Sequence, residues 1–205
     1  MAPPSRTFSP LRDLAFRATY PLRKAKGMLE ALRWRAEYRS EMALSRSSAR
    51  PGPLDVVLVM DHLKPNVNAG KLVRTADAMG AREIRTIGMP YFNVRPTVES
   101  LRNIPLRTET SVDACFAALR SEGYAIFALE PERDVAERTF LDATTLPRKT
   151  AIIVGHESRG VSFSAAQHPD VVWLSIRQFG RVPCLNASVA GSIALYEYAR
   201  QHGGR

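Results

Sequence analysis

Cysteine is almost absent from this chain: the two that occur, Cys115 and Cys184, have neither metal-ligand spacing nor the numbers of a disulfide framework. A zinc finger and a small secreted scaffold are thereby excluded, no metal site is expected, and a reducing, cytoplasmic setting fits. No apolar run reaches the ~20 residues that cross a bilayer, so no membrane span is expected. Internal repeats and low-complexity tracts are missing as well. Fourteen prolines and twelve glycines beside 45% hydrophobic residues exclude a collagen-like, coiled-coil or wholly disordered chain. What remains, in 205 residues, is one globular domain of ordinary size carrying an appendage.

Balanced charge is also lacking, and the excess is local. Residues 1–50 hold eleven Lys or Arg against four acids (Asp13, Glu30, Glu37, Glu41), whereas residues 51–205 hold eighteen against sixteen. A block so rich in cations attracts polyanions, nucleic acid above all, through counterion release at phosphates. Met1 to Gly27 also has transit-peptide composition, with Asp13 as its only acid. Leu22 to Leu44 reads as a helix, with Leu22, Ala25, Leu29, Leu32 and Ala36 recurring at three- and four-residue steps. Ser45 to Pro53 reads as a linker. The division expected is a basic helical extension and linker over 1–50 and a compact folded domain over 51–205.

Past the linker, strands and helices alternate. Leu54 to Met60 (LDVVLVM) has the length and valine content of a strand buried on both faces. Further strands are expected at Glu83–Gly88, Tyr124–Leu129, Thr150–Gly155 and Val171–Ile176. Helices are expected at Asn68–Met79, Val112–Glu122, Ser162–His168 and from about Leu185 to Gln201. Such alternation predicts a parallel α/β sheet flanked by helices.

Ligands of such sheets bind beyond the carboxyl ends of the strands, which directs attention to three loops. The first is Pro65-Asn66-Val67-Asn68-Ala69-Gly70, entering a helix that carries Arg74. The second is Gly155-His156-Glu157-Ser158-Arg159-Gly160, directly after an apolar strand. There glycine admits close backbone approach and Glu157 can accept hydrogen bonds. The third is Ile176 to Ser188 (IRQFGRVPCLNAS), entering the last helix. Taken singly, each is equally well a turn with helix-capping residues.

In order and spacing, NAGKLVRTADAMGA, IIVGHESRGVS and LNASVAGSIALYEYAR resemble the three motifs of the SpoU/TrmH group of SPOUT RNA methyltransferases. The resemblance spans about Leu54 to Arg200. It implies a C-terminal deep trefoil knot that binds S-adenosylmethionine, a homodimer, and methyl transfer to a ribose 2′-hydroxyl of RNA, tRNA ahead of rRNA. It assigns catalysis to Arg74 with Asn68 and Asn186, and cofactor binding to Leu129, Gly155, His156, Glu157, Gly160, Ile176 and Leu185. Ser188 matches the third motif too.

Three positions depart from the pattern. Arg177-Gln178 stands where the family commonly has Pro-Met, Cys184 where it has Ser, and Lys71 where a small or apolar residue is usual. Losing the proline frees a φ that would otherwise be locked, with a looser loop as the expected consequence. Cys184 is a poorer hydrogen-bond donor than Ser. A sulfonium is already an activated methyl donor, so positioning should dominate catalysis. A guanidinium is an awkward base, which favours Arg74 as the group that holds the phosphate and orients the hydroxyl. Two rivals remain: a catalytically silent RNA-binding or assembly protein on the same fold, and a thiol hydrolase using Cys184 with His156 or His168.

Overall fold

Seven parallel strands form one sheet, seen in a computed structural model that describes residues 10–131 and 138–204, with side chains from Lys24 onward. The strands are β1 (Leu54–Asp61), β2 (Ala81–Ile87), β3 (Leu106–Glu109), β4 (Ala125–Leu129), β5 (Thr139–Phe140), β6 (Thr150–Val154) and β7 (Val172–Ser175), and their order across the sheet is β3-β2-β1-β6-β4-β7-β5. The helices are α1 (Pro10–Ser48), α2 (Val67–Ala78), α3 (Val112–Ser121) and α4 (Ala187–His202). The five expected strands and the α2, α3 and α4 helices are present. Among the described residues no helix is long and apolar enough to cross a membrane.

Period-two alternation explains why Val56 to Met60 of β1 are all buried. Val56, Leu58 and Met60 join the core shared with α2 and α4, while Val57 and Val59 join the core shared with α3. Later strands enter between earlier ones: β6 pairs with both β1 and β4, and β7 with both β4 and β5. The central position of β6 brings the end of the second loop beside the end of β1. Helix α4 lies on α2 because Gly191 leaves room; a Cβ there would sit 2.6 Å from Leu72 Cδ2.

Four expectations need correction. Ser162–His168 is not a helix but a string of turns. The Ser162 N–H and hydroxyl are taken by Asp61, and the Ser164 N–H by the Gln167 side chain, leaving a single turn closed by His168 N–H on Ser164 O. Strands β3 and β5 were not expected, being short edge strands (LRTE, TF) without an apolar run. The supposed linker begins inside α1, which runs on to Ser48.

The fourth correction is the apolar stripe of α1. Its docked face is Trp34, Tyr38, Met42 and Ser45, with the Tyr38 ring edge-on to Phe92 at 5.1 Å. Leu29 and Leu32 are instead 65% and 53% exposed. Periodicity locates a stripe on a helix but not the surface that covers it. Here the docked face also satisfies polar groups: Glu41 accepts two hydrogen bonds from Arg102 at 2.8 Å each, and Glu37 accepts from Arg95. Of the segment with transit-peptide composition, Met1–Ser9 lies outside the described residues, as do the side chains through Arg23.

Candidate functional site

The loop after β6 closes on itself. His156 and Gly160 exchange backbone hydrogen bonds of 2.8 and 2.9 Å as an antiparallel bridge. Two glycines make this possible: a Cβ on Gly155 would lie 2.3 Å from the Gly160 carbonyl carbon, and Gly160 has φ +69 with Glu130 Oε1 2.6 Å from where its Cβ would be. The far end of the loop is pinned by two carboxylates at strand ends. Val161 N–H donates to Glu130 Oε1 at 2.8 Å, while Ser162 N–H and Oγ–H donate to the two oxygens of Asp61 at 2.6 and 2.9 Å. Asp61 is fully buried, and His62 Nδ1 lies 2.6 Å from its Oδ1.

A polar chain then joins all three loops. Asn68, buried on the first turn of α2, donates from Nδ2 to Glu157 Oε1 at 2.8 Å, and the Lys64 backbone N–H donates to Glu157 Oε2 at 3.1 Å. Ser188 Oγ donates to Asn68 Oδ1 at 3.3 Å. Asn186 caps α4, its Oδ1 lying 2.9 Å from Ser188 N and 2.7 Å from Ser188 Oγ. Burial pushes the Glu157 carboxyl up, but the hydrogen bonds from Asn68 and from backbone N–H groups outweigh it and hold the group below its ordinary value. A second link, Thr75 Oγ1 to Ser192 Oγ at 3.0 Å, keeps α2 and α4 in register. Arg74, next to it on α2, is exposed, and its side chain makes no hydrogen bond or ion pair among the described residues.

Beside this chain lies an open cleft of about 1270 Å³ at the carboxyl ends of β4, β6 and β7. Leu129, Gly155, His156, Glu157, Gly160, Ile176 and Leu185 all line it; Asn68, Arg74 and Asn186 do not. Its walls are apolar at Leu129, Val154, Ile176 and Leu185, and it is also lined by two residues with buried polar atoms lacking a hydrogen-bond partner among the described residues, Trp173 Nε1 and Gln178 Oε1. Apolar walls with an unused donor and acceptor suit a heterocyclic ligand with polar edges.

Residues 55–196 match the model of the SpoU rRNA methylase family. The chain belongs to this family. It is 30% identical over 151 residues to the tRNA (guanosine(18)-2'-O)-methyltransferase of Thermus thermophilus, covering 72% of this chain and 75% of that protein. An uncharacterized tRNA/rRNA methyltransferase of Synechocystis is 28% identical over 153 residues, covering 72% of this chain but only 38% of the relative, so the chain spans well under half of that protein. Among solved structures, one described as giving insights into the 2-OH methylation of C/U34 on tRNA superposes with TM-score 0.64 at 28% identity, covering 75% of this chain and all of the other. The AdoMet-bound rRNA methyltransferase of Sinorhizobium meliloti superposes with TM-score 0.62 at 25% identity, covering 77% of this chain and 60% of the other.

Within this family frame the two histidines of the thiol alternative separate. His168 is buried beside Phe116 and Phe163, in the core shared with α3. His156 Nδ1 accepts from Ser158 N–H at 3.0 Å, and no hydrogen bond joins Cys184 to either ring among the described residues. Cys184 is exposed on the cleft wall. Asp61, Glu130 and Ser162, which anchor the second loop, were missed from sequence. The available signal was an acid directly after an uninterrupted apolar run, at Met60-Asp61 and again at Leu129-Glu130. No group of three or more His, Cys, Asp or Glu is placed to hold a metal among the described residues.

Proposed function

We propose that this chain is an S-adenosylmethionine-dependent RNA methyltransferase acting on a ribose 2′-hydroxyl, with tRNA as the first candidate substrate and the cytoplasm as its setting. The observation that carries the proposal is the hydrogen-bonded chain Glu157–Asn68–Ser188–Asn186, which links three separate motifs beside a cleft lined by every residue expected to hold the cofactor. The Thermus relative, named for 2'-O methylation of a tRNA guanosine, supports the substrate class.

The cofactor would supply a methyl group on a sulfonium, an activated donor with a neutral leaving group. The chain's own residues do the positioning. Leu129, Ile176 and Leu185 offer apolar contact, and the backbone of the Gly155–Gly160 loop can approach closely because both glycines lack a Cβ. Glu157 holds Asn68 and the Lys64 backbone, fixing the entry of α2. Arg74, with five donors and no competing partner among the described residues, is free to take an RNA phosphate and orient the attacking hydroxyl. A knotted path through residues 155–200 belongs to this proposal; α4 packing back onto α2, β6 and β1 supports it.

A homodimer belongs to it as well. On α4, Val189, Ile193 and Tyr196 form an exposed apolar stripe at four- and three-residue steps, whereas Tyr198 is fully buried in the core and cannot serve an interface. The cations of α1, with Glu37 and Glu41 turned to body arginines, offer a surface for RNA phosphates. The deciding experiment is transfer from labelled S-adenosylmethionine to total tRNA and to rRNA, followed by mass-spectrometric mapping of the product. Transfer to neither, by protein that binds the cofactor, would reject the enzyme in favour of a silent RNA-binding protein.

A further inference from the structure

The third loop leaves β7 with little to hold it. Ser175 Oγ donates to Glu130 O at 2.9 Å, and Ile176 then lines the cleft. From Gln178 to Cys184 no hydrogen bond is made among the described residues, and Phe179 and Val182 stand 90% and 61% exposed. Asn186, at the start of α4, is the next anchor. A proline after Ile176 would stiffen this stretch covalently by fixing φ, and the chain has none there.

Arg177 occupies that position, and its side chain folds back over the sheet edge. Its guanidinium carbon is 4.0 Å from the centroid of the Phe140 ring, and its Nε donates to Asp142 Oδ2 at 3.2 Å. Phe140 is itself fixed, since β5 pairs with β7 through Thr139–Leu174 and Phe140–Ser175. Leu141, next in the chain, is buried. Stacking on an aromatic face while donating in the guanidinium plane is a combination open to Arg and not to Lys.

We propose that Arg177 is a positioning residue for the cofactor: clamped on Phe140 and Asp142, it holds the backbone of residues 176–178 against the cleft and does with a side chain what a proline would do with its ring. The clamp explains how a loop with a departed motif can still present Ile176 and Gln178 to a ligand. It rests on the cofactor reading above and adds to it the means by which the third loop is preorganised. Ordering a loop before binding removes part of the entropy that the ligand would otherwise have to supply.

The test is calorimetry of the full chain with S-adenosylmethionine and S-adenosylhomocysteine, paired with steady-state kinetics. Arg177→Ala should weaken binding about three- to tenfold and raise the KM for the cofactor equally, leaving kcat at saturating cofactor unchanged. Arg177→Lys should fall between. Phe140→Leu should match Arg177→Ala, and the double variant should be no worse than either single one. Asp142→Asn, on an exposed carboxylate, gives a smaller loss in the same direction and does not disturb β5. Arg177→Ala binding within twofold of the parent, losses that multiply, or a fall in kcat at constant KM would each overturn the clamp. Parent protein that binds neither ligand would sink the cofactor assignment itself, whereas normal parent binding with an indifferent Arg177→Ala sinks the clamp alone.

Discussion

Replacing Glu157 by Gln changes one charge at the joint between the first and second loops while keeping the side chain's size. In the parent, Glu157 accepts from Asn68 Nδ2 at 2.8 Å and from Lys64 N–H at 3.1 Å. Hydrogen bonds to a charged acceptor contribute about 1.5–3 kcal/mol each; the single amide oxygen of Gln recovers about half of one of them, while its NH2 faces the other donor and that bond is lost. Glu157 is only partly buried, so solvent screening reduces the difference to about 1–2 kcal/mol for the pair. With a urea m-value of about 2–3 kcal/mol/M, the midpoint should fall by about 0.5 M at neutral pH. The sign of the pH dependence follows from the lowered carboxyl pKa in the folded protein. Its stabilisation is present above the ordinary carboxylate value and is lost as pH falls through the lowered one. The gap between Glu157→Gln and the parent should therefore close on titrating from neutral pH to about pH 3, followed by urea unfolding at each step. A gap of constant size across that range would refute the assignment of the charge to this joint.

Arg74→Ala should abolish methyl transfer in single-turnover assays while cofactor affinity stays within a few-fold, because Arg74 does not line the cleft; near-normal turnover would reject its role. Ile193→Glu should shift the species seen by light scattering from dimer to monomer without lowering secondary-structure content, since Ile193 is exposed on α4; a parent that is already monomeric at micromolar concentration refutes the interface. Replacing Lys24, Lys26 and Arg39 together by Ala should weaken RNA binding and flatten its salt dependence by about 0.7 to 0.9 in log–log slope for each phosphate no longer neutralised. An unchanged slope would move RNA recognition to the catalytic domain.

The parallel α/β class and the existence of all four α-helices were legible because a strand buried on both faces leaves a short valine-rich run, and a helix leaves three- and four-residue spacing. Leu54–Met60 and Asn68–Met79 are of this kind. The edge strand β5 is two residues long and exists only because β7 lies beside it, so no local pattern marks it. The stripe Leu29–Leu32 has correct helical spacing and is exposed, since burial requires a partner surface and the body of the protein meets Tyr38 instead.

The candidate site divides in the same way. Glycines at 155 and 160 and the capping Asn186 follow from the chain alone, because tight backbone approach and helix capping depend on residues close in sequence, whereas Asn68 and Glu157 are marked by the family resemblance. That Glu157 receives the amide of Asn68, and that Asp61 holds Ser162, are contacts across 89 and 101 residues. The same holds for Arg177, which from sequence is only a missing proline. Its ring partner, Phe140, lies in a strand that forms at the opposite end of a long connection. Local chemistry determined which groups were available for a site, and the order in which β6 and β7 insert into the sheet decided which of them meet.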